Sequence, residues 1–138
     1  MIKLVESEQD IDRCFDVMVQ LRTHLKRLEF VTTIKRMQSD GYQLACLEDQ
    51  GEVRALAGFR ILEMLARGKF MYVDDLITDE EVRSQGYGDQ LFDWLVEYAK
   101  EQSCQLLDLD SGVQRFDAHR FYFRKRMHIP AYHFALHL

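Results

Sequence analysis

The sequence predicts an α/β (α+β) fold, a mixed central sheet of six or seven strands flanked by about four helices. Short apolar runs with strand-like alternation occur near both ends and in the middle of the chain, the middle three joined by turn-forming residues. Segments with apolar residues at helical spacing lie between them, the clearest from Gly88 to Gln102. With 138 residues, 47% of them hydrophobic, and nine Phe, six Tyr and one Trp, there is material for one buried core and no room for a second. A single domain over residues 1–138 is expected.

Ile2–Val5 reads as the first strand. Ser7 and Asp10 make a capping-box-like start to a helix in which Ile11, Cys14, Phe15, Met18, Leu21 and Leu25 recur at helical spacing. Phe30–Ser39 reads as a second helix, ended by Asp40-Gly41 before a strand at Tyr42–Leu47. Asp49-Gln50-Gly51-Glu52 and Ala66-Arg67-Gly68-Lys69 are turn sequences, so Tyr42–Leu47, Val53–Leu65 and Phe70–Thr78 form an antiparallel meander. In the Gly88–Gln102 helix Leu91, Phe92, Leu95, Tyr98 and Ala99 form the apolar stripe, and Asp89, Asp93, Glu97, Lys100 and Glu101 the polar face. Cys104–Leu109 reads as a strand and Asp117–Arg126 as a helix. Ile129–Leu138, interrupted early by Pro130, reads as a last strand near a sheet edge. A meander followed by β-α-β gives a mixed sheet whose strand crossings can leave a ligand cleft.

The formal net charge is −5 with 30% charged residues, which argues against disorder and against nucleic-acid binding by global charge. A local cationic pocket for an anionic ligand remains open. Cys14, Cys46 and Cys104 are odd in number and lack C-x-x-C spacing, as reduced thiols of a cytoplasmic protein would be. No apolar run approaches the roughly 18 residues of a membrane-spanning helix, so no membrane partner is expected.

Val82-Arg83-Ser84-Gln85-Gly86-Tyr87-Gly88-Asp89 lies between a strand and the strongest helix. Glycines let a backbone approach a ligand closely, and a helix start offers free N–H groups and the positive end of its dipole. With Arg83 alongside, the segment is a cradle for a pyrophosphate. It lacks the Lys-Ser/Thr pair of a Walker loop and falls short of G-x-G-x-x-G.

Arg83-Ser84-Gln85-Gly86-Tyr87-Gly88 resembles the (Gln/Arg)-x-x-Gly-x-(Gly/Ala) signature of the Gcn5-related N-acetyltransferase family. Tyr72–Thr78 looks like that family's fourth strand, and Ala118-His119-Arg120-Phe121-Tyr122 like its Ala-x-x-Phe-Tyr helix. The resemblance covers nearly the whole chain. The stretch from Arg115 to Phe134 is similar in particular to the aminoalkylphosphonate acetyltransferase branch. The resemblance implies a splayed sheet and acetyl-CoA as cosubstrate, with no metal. It places the pantetheine arm on the backbone of Leu76, Ile77 and Thr78, and the pyrophosphate on Ser84, Gln85, Gly86, Tyr87, Gly88 and Asp89, with Arg83 at the loop entrance. Ser111 and Arg115 fall near the acetyl or pantetheine moiety, although Arg115 stands where many members have asparagine. Arg126-Met127 replaces the usual Gly-Phe, so the turn leaving that helix must be built differently. Tyr122 would assist departure of the thiolate.

A primary amine with a pKa near ~10.4 must lose a proton to a base, directly or through water, before it attacks a thioester, and a carboxylate beside the cleft suits that task. Asp74 and Asp75 are the candidates. Adjacent on a strand, they point to opposite faces unless a bulge rotates them; the resemblance favours Asp74, whose place is similar to that of the acidic residue in the family's Glu-Asp pair, with Asp75 second. The structural alternative is a charged pair that satisfies backbone groups or an arginine. The expected partners are acetyl-CoA and an amine of a small molecule or peptide, with no nucleic acid, as a monomer or homodimer. A coenzyme A-binding regulator acting through a protein partner is the rival reading. RNA binding by the Arg120–Arg126 segment and a metal site at His128, His133 and His137 rank lower, because helix geometry separates the former's side chains and strand geometry separates His128 from His133.

Overall fold

The computed structural model describes residues Met1–Leu138, which divide into two units, Met1–Asp108 and Leu109–Leu138. Five strands form one mixed sheet: β1 (Ile2–Leu4), β2 (Gln43–Asp49), β3 (Glu52–Met64), β4 (Gly68–Thr78) and β5 (Leu106–Leu109), in that spatial order. The first four pair antiparallel, as the turn sequences imply. The helices are α1 (Glu8–Arg13), α2 (Phe15–Leu21), α3 (Arg27–Ser39), α4 (Tyr87–Glu101) and α5 (Phe116–Arg124).

In the first unit the sheet is covered on both faces. Ile11, Phe15, Met18, Phe30 and Ile34 of α1–α3 are buried in one cluster with Tyr42, Leu44 and Leu56. On the other face α4 buries Leu91, Phe92, Leu95 and Ala99, and Phe59 meets Trp94 and Tyr98 edge-on at 6.4 and 5.6 Å between ring centroids. Phe59 and Gly58 are neighbours on β3, so Gly58 faces the α1–α3 side. No helix is long and apolar enough to cross a membrane.

Three expectations are corrected. The sheet has five strands rather than six or seven, because Ile129–Leu138 forms no strand. Its alternating apolar pattern is real, but pairing needs a neighbouring edge, and Pro130 removes one donor at its start. The first helix is two, giving five helices rather than four. At the junction the Cys14 thiol donates to the Asp10 carbonyl (3.2 Å), the acceptor an α-helical Cys14 N–H would use, and that N–H donates to Ile11 O instead (2.9 Å).

In the second unit the expectation that Arg126-Met127 would force a different turn after α5 is corrected as well: the chain makes the usual one. Arg126 takes the left-handed position (φ 67°), its N–H donates to Phe123 O (3.0 Å) and Met127 N–H to Tyr122 O (3.1 Å). This is a Schellman ending with arginine where glycine is usual. Arg120 pairs with Asp117 (2.8 Å) and the Arg124 guanidinium sits 5.7 Å from the Phe121 ring centre, so these cations have partners within their own helix.

The register of β3 on β4 slips at one place, pairing Gly58 with Asp75 and Phe59 with Val73 and leaving Asp74 as the extra residue of a β-bulge. A Cβ on Gly58 would overlap the Tyr42 hydroxyl and lie 2.7 Å from Asp75 Oδ2. Tyr42 is 2% exposed, and its hydroxyl is tied to Asp75 (2.8 Å), so moving aside breaks that bond. Gly58→Ala should therefore lower unfolding free energy by about 1–3 kcal/mol in urea denaturation; an unchanged midpoint and slope would show that Tyr42 moves aside freely.

Candidate active site

The bulge gathers both carboxylates around Tyr42. Tyr42 Oη donates to Asp75 Oδ2 (2.8 Å), and Arg22, at the end of α2, donates from Nε to Asp75 Oδ1 (2.9 Å) and from Nη2 to the Asp74 carbonyl (2.8 Å). Arg60 Nε donates to Asp74 Oδ2 (3.0 Å) while its guanidinium lies 5.5 Å from the Tyr42 ring centre. A regular strand would have sent the two aspartates to opposite faces; the extra residue brings both to the Tyr42 side.

Their environments differ. Both Asp75 oxygens are engaged, whereas Asp74 Oδ1 is buried with no hydrogen-bond partner. Burial pushes the Asp74 carboxyl above the ordinary carboxylate value, and the Arg60 hydrogen bond only partly offsets it. Burial, with the Asp75 charge beside it, likewise pushes the Tyr42 phenol well up, so Tyr42 stays a donor. Asp74 is thus a carboxylate with a free acceptor oxygen and raised proton affinity, whereas both Asp75 oxygens are occupied.

Further along β4, Leu76, Ile77 and Thr78 pair with Ala57, Leu56 and Ala55 on the β3 side. On the other side β5 begins beside Lys69, whose carbonyl accepts from Gln105 N–H (2.8 Å), and it is four residues long. At about 3.3 Å per residue it spans about 13 Å, while Leu76 lies about 23 Å beyond Lys69 along β4. Whichever way β5 runs, it cannot reach Leu76–Thr78, so no strand pairs with β4 on that side there.

The loop after β4 is held at both ends. Asp79 Oδ1 caps the 3-10 turn Glu80–Val82 through Glu81 N–H (3.2 Å) and accepts from Gln20 Nε2 (3.2 Å), while Gln20 Oε1 accepts from Glu80 N–H (2.9 Å). Tyr87 Oη donates to Asp49 Oδ2 (2.6 Å), fixing the start of α4 to the end of β2. Between these anchors Ser84 and Gly86 take positive φ (69° and 87°), and α4 starts at Gly86 with no side-chain cap. The first-turn N–H groups of Tyr87 and Gly88 are therefore offered outward. A Cβ on Gly86 would meet nothing within 4 Å, so the space over the turn is open. Exposed Arg83 stands at its edge, Nε donating to Thr78 O (3.4 Å). A strand edge without a strand partner, the turn and the uncapped helix start fit a ligand with an amide-bearing arm and a phosphate group.

Of the residues singled out from sequence, Asp74, Asp75, Leu76–Thr78 and Arg83–Asp89 lie in the first unit, and Ser111, Arg115 and Tyr122 in the second. Ser111 Oγ is buried without a hydrogen-bond partner. Tyr122 is half-buried, which raises its phenol pKa despite the nearby Arg115 charge. Sequence reasoning missed Tyr42, Gly58, Arg60, Gln20 and Asp79. Gly58 was the available signal, since glycine inside a strand marks a bulge or a close approach.

The Acetyltransferase (GNAT) family model matches residues 8–128. The uncharacterized N-acetyltransferase YhdJ of Bacillus subtilis (strain 168) is 31% identical over 122 residues, covering 88% of this chain and 86% of that protein. A shorter match, 36% over 53 residues, covers 38% of this chain and 34% of the aminoalkylphosphonate N-acetyltransferase of Salmonella typhimurium (strain LT2). A transcriptional regulator from Bacillus halodurans C-125 has the same fold, with a TM-score of 0.88 at 23% identity over 100% of this chain and 99% of that one. The fold and the family match define an acetyltransferase scaffold of GNAT type. This chain belongs to the GNAT acetyltransferase family.

Proposed function

We propose that this chain is an acetyl-CoA-dependent N-acetyltransferase that acetylates a primary amine of a small molecule or peptide by direct attack in a ternary complex. The observation that carries the reading is Asp74: a buried carboxylate on a β4 bulge, one oxygen unpaired, two residues before the edge at Leu76–Thr78 that has no strand partner. A protein that merely binds coenzyme A needs no such proton acceptor, which favours the enzyme over a regulator.

Acetyl-CoA supplies the acetyl group activated as a thioester. The backbone of Leu76, Ile77 and Thr78 holds the pantetheine arm, with Ser111 and Arg115 as further contacts. The N–H groups of Ser84 to Asp89 hold the pyrophosphate beside Arg83. Asp74 takes the proton from the incoming ammonium, freeing the nitrogen lone pair to form the new bond to the acetyl carbon as the carbon–sulfur bond breaks. Tyr122 donates a proton or hydrogen bond to the departing sulfur. Asp75, held by Tyr42 and Arg22, keeps the bulge in place. The family match runs through residues of both units, which supports reading residues 1–138 as one functional domain. The three free cysteines suit a cytoplasmic setting.

Two variants test the assignment. Gly86→Val puts bulk into the space over the turn, where no protein atom stands in its way, at a strain cost of about 1–2 kcal/mol from its positive φ. Acetyl-CoA affinity measured by calorimetry should fall by about tenfold or more in a chain that still unfolds cooperatively; wild-type affinity would remove the loop from the site.

The second is Asp74→Asn. Because burial raises the Asp74 pKa, the wild-type kcat/KM should rise with pH along a limb centred above the ordinary carboxylate range, as the carboxyl loses its proton. In the variant turnover should drop by about 10²–10⁴-fold and the limb should vanish. An unaltered profile would assign the proton to another group.

A further inference from the structure

The two oxygens of the Asp74 carboxylate are in different states. Oδ2 accepts from Arg60 Nε (3.0 Å), whereas Oδ1 has no partner. Arg22, the other cation at the bulge, donates to the Asp75 carboxylate and to the Asp74 backbone carbonyl. Arg60 is therefore the one side chain that donates to the Asp74 carboxylate.

Arg60 is itself held in place. It lies two residues along β3 from Gly58 and so faces the same side of the sheet, where its guanidinium sits 5.5 Å from the Tyr42 ring centre. Tyr42 is fixed by burial and by its hydroxyl bond to Asp75 (2.8 Å). A guanidinium is flat, so it rests on an aromatic ring and still donates from its edge; a lysine ammonium carries the same charge without that fixed edge. The Arg60 and Asp74 side chains are 28% and 20% exposed, so solvent screens the pair only in part.

A proton acceptor for an ammonium must be charged when the ammonium arrives and must hold the proton once taken, and these demands conflict. The groups that act on Asp74 come from four elements. Burial raises its pKa, the Arg60 hydrogen bond and charge on β3 lower it, the neighbouring Asp75 charge on β4 raises it, and Arg22 at the end of α2 lowers it. The Tyr42 phenol on β2 has its own pKa pushed well up and stays uncharged.

We propose, resting on the acetyltransferase reading above, that Arg60 is the positioning residue for Asp74: it occupies Oδ2, leaves Oδ1 as the oxygen that takes the amine's proton, and keeps the carboxylate ionised until that proton arrives. The proton passes from the ammonium nitrogen to Oδ1, the nitrogen keeps the electron pair for the new bond to the acetyl carbon, and Arg60 stays protonated throughout.

Nuclear magnetic resonance titration of isotope-labelled aspartate carboxyls in the full chain tests this without any substrate, the Asp74 signal being the one missing in Asp74→Asn. In Arg60→Met the Asp74 titration should move to higher pH by about one pH unit or more, because an opposite charge is lost, and in Arg60→Lys it should return most of the way to wild type. An Asp74 titration unmoved in Arg60→Met overturns the proposal. The same variants are assayed by release of coenzyme A thiol from acetyl-CoA with an amine that the wild type acetylates. The rising limb of kcat/KM should move with the titration in Arg60→Met. Arg60→Lys should keep the wild-type limb and acetyl-CoA affinity while kcat falls about tenfold, since charge is restored but not the fixed edge. Activity lost alike in both variants with the limb unmoved would make Arg60 a structural residue and overturn the proposal. A wild type that acetylates no amine, with the titration shifts intact, would instead sink the acetyltransferase reading and leave the Arg60–Asp74 pairing standing.

Discussion

The site rests on a missing side chain. Gly58 leaves room for the Tyr42 hydroxyl to reach Asp75 across the sheet, and the β3–β4 register takes up the extra residue at that point, which is Asp74. Everything chemically distinctive about β4 follows. The bulge turns Asp74 toward Arg60 while leaving one of its oxygens unpaired, and Arg22 and Tyr42 occupy both oxygens of Asp75, so that the two adjacent carboxylates are not equivalent. Buried like charges in contact are expensive, and two arginines and a phenol make this pair tolerable.

The second constraint is the length of β5. A longer strand would have closed the edge of β4 at Leu76–Thr78, whereas four residues starting beside Lys69 leave it without a strand partner. The turn at Gly86 then sets an uncapped helix start beyond that edge, held from below by Asp79 with Gln20 and from the side by Tyr87 with Asp49. An acidic chain can hold an anionic ligand in such a place because the positive potential comes from backbone dipoles and one arginine, not from net charge.

Much of this was legible from sequence because it is local. The apolar stripe of α4, the turn residues of the meander and the glycine-bearing loop each state their conformation within a few residues. What was not legible depends on distant partners. Tyr42 reads as the start of a strand, and nothing nearby says that its hydroxyl crosses to β4; only Gly58, an odd residue inside a strand, pointed to the close approach. At the break the Cys14 N–H bonds to Ile11 rather than Asp10, a one-residue shift that periodicity cannot report. The C-terminal run carries a true strand pattern, yet a pattern specifies a face, not the edge that will pair with it.

The central claim is that this arrangement transfers acetyl groups to amines. Mass-spectrometric analysis of a panel of small amines and peptides incubated with the full chain and acetyl-CoA tests it most directly. The account predicts at least one amine gaining a single acetyl group in an enzyme-dependent way, with stoichiometric release of free coenzyme A thiol. Tight acetyl-CoA binding with no acetylated product from any amine would contradict it and leave a coenzyme A-binding protein in its place.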